Sequence, residues 1–452
     1  MRLAYAITKP QLATVVFLGM FIIALAMARL IVAHNSTIDM SPPIELEHLG
    51  VAISVPSGHG WRSDQQWHYR EGALSVASRY APVQGRPSAQ VSCRYFAAAE
   101  ALDDGARLQA RAAKIGGAIA ERGQIKRGRI TVSWAHIGRG GGIILDVFFG
   151  TAELPQGRQL DVEVSDTIGD AELAREVFER VVDSLKVEEK GLLDIGVELV
   201  SAMKDRGVAA FLENHNRQVL FMVKDAKGRY VGFTMDVLVD SGRDVEMSIQ
   251  AASVYYLKSG YVQDYATAFQ SDNALSQYTW KTQGINRVGP KVVDSSSITV
   301  CFDQSGVLTV AQSDPRQVER EYRLGGSAMP NALLELFLQQ VIDSNCPRCV
   351  IDLIESDGKI VPTLLTRVED KSVTLRPDSG QPPPRDEIAY VLRLEYLDGH
   401  GFYEMVYLDA HKAISRVLIQ QQELYFLERA SPEDAAKVFP ERADLLLQTK
   451  RP

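Results

Sequence analysis

The stretch VGFTMDVLVDSGRDVEMSIQ, residues 231 to 250, decides the fold that we predict for this chain. Each half of the stretch alternates apolar and polar residues, which is the period of a half-buried β-strand. Asp240, Ser241 and Gly242 lie between the halves and are typical of a hairpin turn. The stretch therefore predicts two long antiparallel strands.

The same two-residue period continues through the C-terminal half of the chain. One predicted helix, 330 to 343, interrupts the strands, and Pro330 suits its first turn. Ser431 with Asp434 predicts the start of a short terminal helix. Residues 192 to 447 are therefore expected to form a large, curved antiparallel half-barrel with covering helices. Its further elements are expected as a helix at 192–212 and as strands at 252–258, 277–283, 297–302, 306–312, 349–354, 359–368, 372–376, 388–397, 402–408, 413–420 and 424–430.

Two stretches of this half carry a resemblance to known proteins. They are residues 231 to 250 and the closing YLDAHKAISRVLIQQQELYFLERAS, 407 to 431. The pattern resembles the LolA-like and RseB-like half-barrel proteins of the bacterial envelope. The resemblance implies an apolar concavity, covered by helices, that suits an acyl chain or a peptide.

The N-terminal half mixes the two periods. Strand patterns begin with LGVAISVP, 49 to 56. Leu108, Ala112, Ile115 and Ile119 recur at helical spacing. Further strands follow at 130–137, 142–154 and 158–166, and a second amphipathic helix lies over 173–185. We therefore predict an α+β fold class, with one α+β domain at 49 to 188 and a boundary at EEKG, 188 to 191.

This order resembles the Mog1/PsbP-like family. The shared features are the early strand that ends at Pro56, Trp61 after it, and the closing helix AREVFERVVDSLKV, 174 to 187. The resemblance implies an antiparallel sheet in an αβα sandwich, in a family whose members mostly bind partners. It transfers no catalytic residue to this chain.

The segment LATVVFLGMFIIALAMARLIVA, residues 12 to 33, is the most apolar part of the chain. A helix needs roughly 20 apolar residues to cross a bilayer, so the segment predicts a transmembrane signal-anchor helix. Arg2 and Lys9 precede it without an acidic residue, which places residues 1 to 11 in the cytoplasm. Residues 34 to 48 then serve as a tether, and the bulk of the chain is periplasmic or otherwise extracytoplasmic.

A cleaved signal peptide is the alternative for the same segment. Ala24, Leu25 and Ala26 form a site of the small-residue kind that signal peptidases cut. Apolar character resumes at Leu30, so cleavage there would leave an apolar end on the mature protein. Both interpretations place the bulk of the chain outside the cytoplasm.

Composition excludes one class of partner. The formal net charge is -8, and no run of five basic residues occurs. Nucleic acid is therefore not expected as a partner. No cofactor is predicted either, because we find neither a phosphate-binding loop nor a metal-binding histidine motif.

Cys346, Pro347, Arg348 and Cys349 form the most reactive-looking motif. A redox pair needs its first cysteine at a helix N-terminus, whereas this pair follows a helix and precedes a strand. We predict a local Cys346–Cys349 disulfide. Free thiols and a pairing with Cys301 remain alternatives, and no metal site is predicted.

The expected function follows from the half-barrel. The strand pattern places one apolar set on its concave face, and a dry groove there would bind an apolar ligand. A fully packed core is the alternative. The chain is thus predicted to be a non-enzymatic, membrane-anchored envelope protein that binds a lipid, a peptide or a protein partner. The alternatives are a hydrolase that uses carboxylates of the C-terminal domain and a structural assembly subunit. The predicted ligand-binding residues are Phe233, Met235, Val237, Met247, Leu392 and Leu394.

Overall fold

Strands dominate the protein, which we describe from a computed structural model. The structure describes residues 38–58, 60–70, 72–80, 89–139, 145–166, 171–188, 191–207, 218–240, 246–257, 260–313, 318–369 and 388–448.

The N-terminal half is built on one antiparallel sheet. Within the described ranges the sheet has eight strands in the order β10-β11-β12-β13-β8-β7-β5, and β6 also pairs with β7. Its strands are β5 (Trp61–Ser63), β6 (His68–Arg70), β7 (Ala73–Tyr80), β8 (Ala89–Phe96), β10 (Ala118–Arg127), β11 (Ile130–Arg139), β12 (Leu145–Leu154) and β13 (Arg158–Asp166).

Two helices lie on opposite faces of this sheet. Helix α1 (Asp104–Ile115) packs Leu108 against Ile137 and Phe149. Helix α2 (Ala171–Asp183) packs its buried apolar residues on the other face, where Phe178 meets Phe148. The two faces follow from strand alternation, because successive side chains point to opposite sides.

Short strands complete this half. They are β1 (Asp39–Met40) with β4 (Pro56–Ser57), and β2 (Ile44–Leu46), β3 (Val51–Ile53) and β14 (Lys186–Val187) in the order β14-β3-β2. Part of the segment expected to be a tether, 34 to 48, therefore belongs to the folded region.

The C-terminal half is one long sheet. Among the described residues it has 16 strands, in the order β23-β24-β25-β26-β27-β28-β29-β15-β16-β17-β18-β19-β20-β21-β22-β9, and only β23 and β24 pair in parallel. The strands are β9 (Ala99–Glu100), β15 (Gln218–Asp225), β16 (Tyr230–Asp240), β17 (Glu246–Tyr256), β18 (Tyr261–Asp272), β19 (Tyr278–Val288), β20 (Lys291–Phe302), β21 (Val307–Ser313), β22 (Val318–Arg323), β23 (Ala328–Pro330), β24 (Arg348–Ile354), β25 (Ile360–Arg367), β26 (Tyr390–Tyr396), β27 (Tyr403–Leu408), β28 (Ile414–Gln420) and β29 (Leu424–Arg429).

Within the described ranges, four helices pack on this sheet. They are α3 (Leu192–Arg206), α4 (Leu334–Asp343), α5 (Pro432–Val438) and α6 (Ala443–Gln448). Helices α3 and α4 share a core with side chains from β17 to β21 and from β24 to β28, so the sheet curves around them. Helices α5 and α6 cover the opposite face of β15, β16 and β17. We call the face toward α4 the inner face and the face under α5 the outer face.

The two halves are joined by buried contacts. Strand β9 of the N-terminal half pairs with β22 of the long sheet. Arg158 donates to both carboxylate oxygens of Asp352 at 2.8 and 2.9 Å, and both side chains are almost fully buried. Val350 and Leu364 of the long sheet belong to the N-terminal core. The predicted boundary at 188 to 191 stays a prediction.

The predicted α+β fold class with a transmembrane helix is wrong, because the described structure is mostly β. One physical reason is local. Gly116 ends α1 in the left-handed conformation, with φ of 65°, and Ile119, which we expected on that helix, lies on strand β10. The predicted helix at 192–212 likewise ends at Arg206, before Gly207.

None of the helices in the described ranges has the length and apolar character to cross a membrane. The predicted anchor at residues 12 to 33 lies outside the described residues.

Candidate functional site

Helix α4 fills one end of the half-barrel. Its residues Leu336, Phe337, Leu338, Val341 and Ile342 are all buried, although they lie on different sides of the helix. Side chains of the inner face surround them from both ends of the sheet. This end is therefore a packed core, which was the alternative to a continuous dry groove.

Strand register divides the predicted ligand-binding residues between two faces. Phe233 stands opposite Val254, and Met235 stands opposite Ala252, all of them under α5 and α6. Val237 is half-buried in the same outer cluster. The sequence predicted one shared concave face for the whole set, and this placement of the three residues on the outer face corrects it.

The other three predicted residues lie on the inner face. Met247, Leu392 and Leu394 belong to the core around α4, and the last two are fully buried. This placement does not test the ligand-binding role of the six residues, so that role stays a prediction.

A cleft opens at the opposite end of the half-barrel from α4's packed residues. It has a volume of about 770 Å³ and lies where β15 to β18 approach β28, β29 and the turn before β27. We call it the mouth cleft. Its lining is mostly apolar and aromatic, and the residues are Val223, Asp225, Val231, Tyr255, Tyr256, Leu257, Gln263, Phe402, Ile419, Gln421, Gln422, Glu423, Tyr425 and Leu427.

Two carboxyl groups, Glu404 and Glu355, lie close enough to interact electrostatically, and Glu404 stands opposite Ile419 of the mouth cleft. The Tyr396 hydroxyl donates to Glu404 Oε1 at 2.7 Å, and Asn331 Nδ2 donates to Glu355 Oε2 at 2.9 Å. We call these four residues the carboxyl cluster. Tyr255 links the cluster to the cleft, since it lines the cleft and interacts electrostatically with Glu404.

The surroundings of the carboxyl cluster favour protonated groups. Burial raises the pKa of Glu404 to about 7, and the charge of Glu355 adds to the rise, although the Tyr396 hydrogen bond opposes it. Burial also raises the pKa of Glu355, against the Asn331 hydrogen bond. Glu404 is half-buried. Its charge is therefore sensitive to pH near neutrality.

The strand pattern contains a signal for Glu404. On β27 it stands opposite Leu394 of β26 and Ile419 of β28, both apolar residues of the inner face. A carboxylate at an apolar position of an alternating strand is costly unless it is paired. Glu355 gave no such signal, because it lies in the turn between β24 and β25.

The cysteine pair consists of free thiols in this structure. Cys346 and Cys349 are both buried, and the Cys346 thiol donates to the Arg348 carbonyl oxygen at 3.3 Å. A hydrogen bond with the Cys349 thiol lowers the pKa of Cys346 to about 7, against its burial, and raises that of Cys349. Cys301 lies exposed on β20. The predicted disulfide stays a prediction.

Metal ligands are not grouped in the part of the chain that the structure describes. No set of three or more His, Cys, Asp and Glu side chains there is arranged to hold an ion.

No protein-family model matches the sequence, and no curated protein does. Among solved structures, the chain is similar to a β-barrel-like protein of a domain of unknown function, DUF1849, from Brucella abortus. That match has a TM-score of 0.35 at 10% sequence identity and covers 47% of this chain and 94% of that chain. The resemblances to the Mog1/PsbP-like and to the LolA-like and RseB-like families stay predictions.

Proposed function

We propose that this chain is a non-enzymatic binding protein of the cell envelope whose mouth cleft holds the apolar part of an amphiphilic ligand. The observation that carries the proposal is the volume and lining of the cleft, about 770 Å³ walled by Val223, Tyr255, Phe402, Ile419 and Leu427 among others. Ligand sites in proteins are commonly concave, mostly apolar spaces of this size.

The polar groups beside the cleft fit the same proposal. Tyr255 and Gln263 line the cleft, and the carboxyl cluster lies next to Tyr255. Such groups orient the polar end of an amphiphile while the aromatic and aliphatic walls hold its chain. The bulk of the protein lies outside the cytoplasm in this proposal.

Fluorescent fatty-acid probes of increasing chain length test the proposal. The purified protein is expected to bind them saturably, with roughly 0.8 kcal/mol gained for each buried methylene, or about a fourfold lower Kd. Ile419→Trp should weaken binding about tenfold or more, because the indole fills the space that the probe would occupy.

Val237→Trp is the matched control. It adds the same side chain to the same half-barrel, but on the outer face under α5. It should leave probe binding unchanged if the variant remains folded, which thermal unfolding checks. Absence of saturable binding by the folded wild type would refute the lipidic ligand and leave a peptide or protein partner. Equal losses from both substitutions would show that the probe binds elsewhere.

A hydrolase is the second candidate, and the carboxyl cluster is what favours it. A carboxyl group with a pKa near 7 suits a general acid, and Glu404 has a second carboxyl, that of Glu355, nearby. Chromogenic esters and glycosides would reveal such an activity. Turnover that disappears in Glu404→Gln while probe binding persists would replace the binding proposal with this one.

A further inference from the structure

The tips of two neighbouring hairpins expose a group of large apolar side chains. The hairpins are β17–β18 and β19–β20, and their tips lie at the same end of the half-barrel as the mouth cleft. The exposed fraction reaches 48% for Val292 and 51% for Val293. The full group is Leu257, Tyr261, Val288, Val292 and Val293.

These side chains are neighbours across the strands. Tyr261 stands opposite Val288, and Val292 stands opposite Arg287. Gly260 and Gly289 adopt φ of 81° and 58°, which the tight turns at the two tips require. The five residues therefore lie together at the tips of two neighbouring hairpins, and we call this edge of the sheet the rim.

Two exposed lysines lie at or beside the rim. Lys291 lies exposed between Val288 and Val292, and Lys227 is exposed at the tip of the adjoining β15–β16 hairpin. The acidic groups Asp225 and Asp264 are each bound by an arginine, at 2.6 Å by Arg229 and at 2.8 Å by Arg287.

Exposed acids at this end of the described sheet include Asp294, beyond Val293 on β20, and Glu423, which lines the mouth cleft together with Leu257. In a chain of net charge -8, the hairpin tips at this edge thus carry exposed lysines beside the apolar side chains.

We propose that the rim docks onto the surface of an anionic lipid bilayer. Aliphatic and tyrosine side chains enter the headgroup region when they lie beside lysines that remain in contact with the phosphates. Electrostatic attraction of the lysines to an anionic leaflet supplies the rest of the binding. A protein partner would need an acidic surface of matching shape, and it is an outcome of the test below.

Docking in this orientation also places the mouth cleft at the membrane. Leu257 belongs both to the rim and to the lining of the cleft. An acyl chain would then reach the cleft from the bilayer without crossing water. Docking through the rim does not require that the cleft binds a lipid.

The test measures the depth of the rim in a bilayer. The full chain is placed in vesicles of equimolar phosphatidylcholine and phosphatidylglycerol, with a fluorescent amino acid at position 292. The matched position is 274, an exposed alanine in the β18–β19 turn at the other end of the same strands. Doxyl-labelled lipids are expected to quench the fluorophore at 292 and not the one at 274. Equal quenching at both positions, or none at 292, would overturn the proposal.

Charge reversal distinguishes binding through the rim from binding to the vesicle through another part of the protein. Lys227→Glu with Lys291→Glu should reduce quenching at 292 to the level seen at 274, as should replacing the anionic lipid with phosphatidylcholine. Lys281→Glu, an exposed change on β19 away from the tips, should leave quenching intact. If Lys281→Glu reduces quenching equally, the rim lysines are not what binds the bilayer. If the vesicles do not quench position 292 but an added acidic protein changes its fluorescence, the rim binds a protein and not the bilayer. Far-UV circular dichroism verifies that each variant is folded.

Discussion

Glu404 links the charge of the inner face to the pH of the solution. Its carboxyl group lies among apolar residues of β26, β27 and β28 and accepts one hydrogen bond from Tyr396. A single neutral donor compensates only part of the lost hydration of a carboxylate. The folded protein therefore binds a proton at Glu404 more tightly than the unfolded chain does.

The free energy of unfolding should consequently fall as pH rises past the pKa of Glu404. The pKa of Glu404 in the folded protein, about 7, exceeds its ordinary value of 4.5. The stabilisation that comes from protonated Glu404 is therefore complete below pH 4.5 and is lost as pH rises through 7. Glu404→Gln should match the wild type near about pH 4 and exceed its free energy of unfolding by roughly 1–3 kcal/mol near about pH 8. Urea unfolding at the two pH values measures the difference.

Tyr396→Phe is the companion variant for this prediction. The Tyr396 hydroxyl lowers the pKa of Glu404, so its removal should move the loss of stability to higher pH. A Glu404→Gln variant whose stability depends on pH just as the wild type does would show that another group controls this range.

Hairpins show which elements the sequence predicted well and where its period was insufficient. Alternation in 231 to 250 correctly predicted two paired strands, β16 and β17. It did not predict which residues share a face. Phe233 stands opposite Val254 on the outer face, whereas Met247 stands opposite Asp240 on the inner face. A shift of one residue moves every side chain to the other face, and loop geometry decides that shift.

The helices show a related limit of the sequence signal. Leu333, Phe337 and Val341 recur at the spacing of one helix face, yet the structure buries Leu336 and Ile342 as well. A helix inside a curved sheet is apolar on most of its surface, and only the tertiary fold determines that position. The mouth cleft and the carboxyl cluster arise from segments far apart in sequence, so local periods gave no indication of either.

Helix α3 provides a prediction at the scale of one element. Gly196 lies so close to β24 that a Cβ atom there would stand 1.8 Å from the Val350 carbonyl oxygen. Helix propensity alone favours Ala over Gly by about 1 kcal/mol. The overlap with backbone outweighs that gain, so Gly196→Ala should destabilise the protein by roughly 1–3 kcal/mol in urea unfolding.

Gly138→Ala is the control for that change. A Cβ atom at Gly138, on β11, would meet no heavy atom within 4 Å. Its cost should therefore be well below that of Gly196→Ala. Equal stability of the Gly196→Ala variant and the wild type would mean that α3 lies farther from β24 than the structure shows.

At the scale of the whole molecule, the two halves share buried structure that the predicted domain division did not foresee. Arg158 lies beside the Tyr95 ring, and its partner Asp352 also accepts a hydrogen bond from Ser327 at 2.6 Å. Separation of the halves would leave a buried carboxylate without its cation. It would also expose Val350 and Leu364, which now complete the N-terminal core.

The two halves should therefore unfold in one transition. Differential scanning calorimetry of the protein is expected to give a calorimetric enthalpy equal to the van't Hoff enthalpy. Arg158→Met should lower stability by roughly 3–5 kcal/mol, because Asp352 remains buried without its partner. Adding Asp352→Leu should recover much of that loss, since an apolar pair of similar volume replaces two buried charges. Two well-separated transitions in the wild type, with only one of them moved by Arg158→Met, would show instead that the halves are independently stable and that the buried pair serves one of them alone.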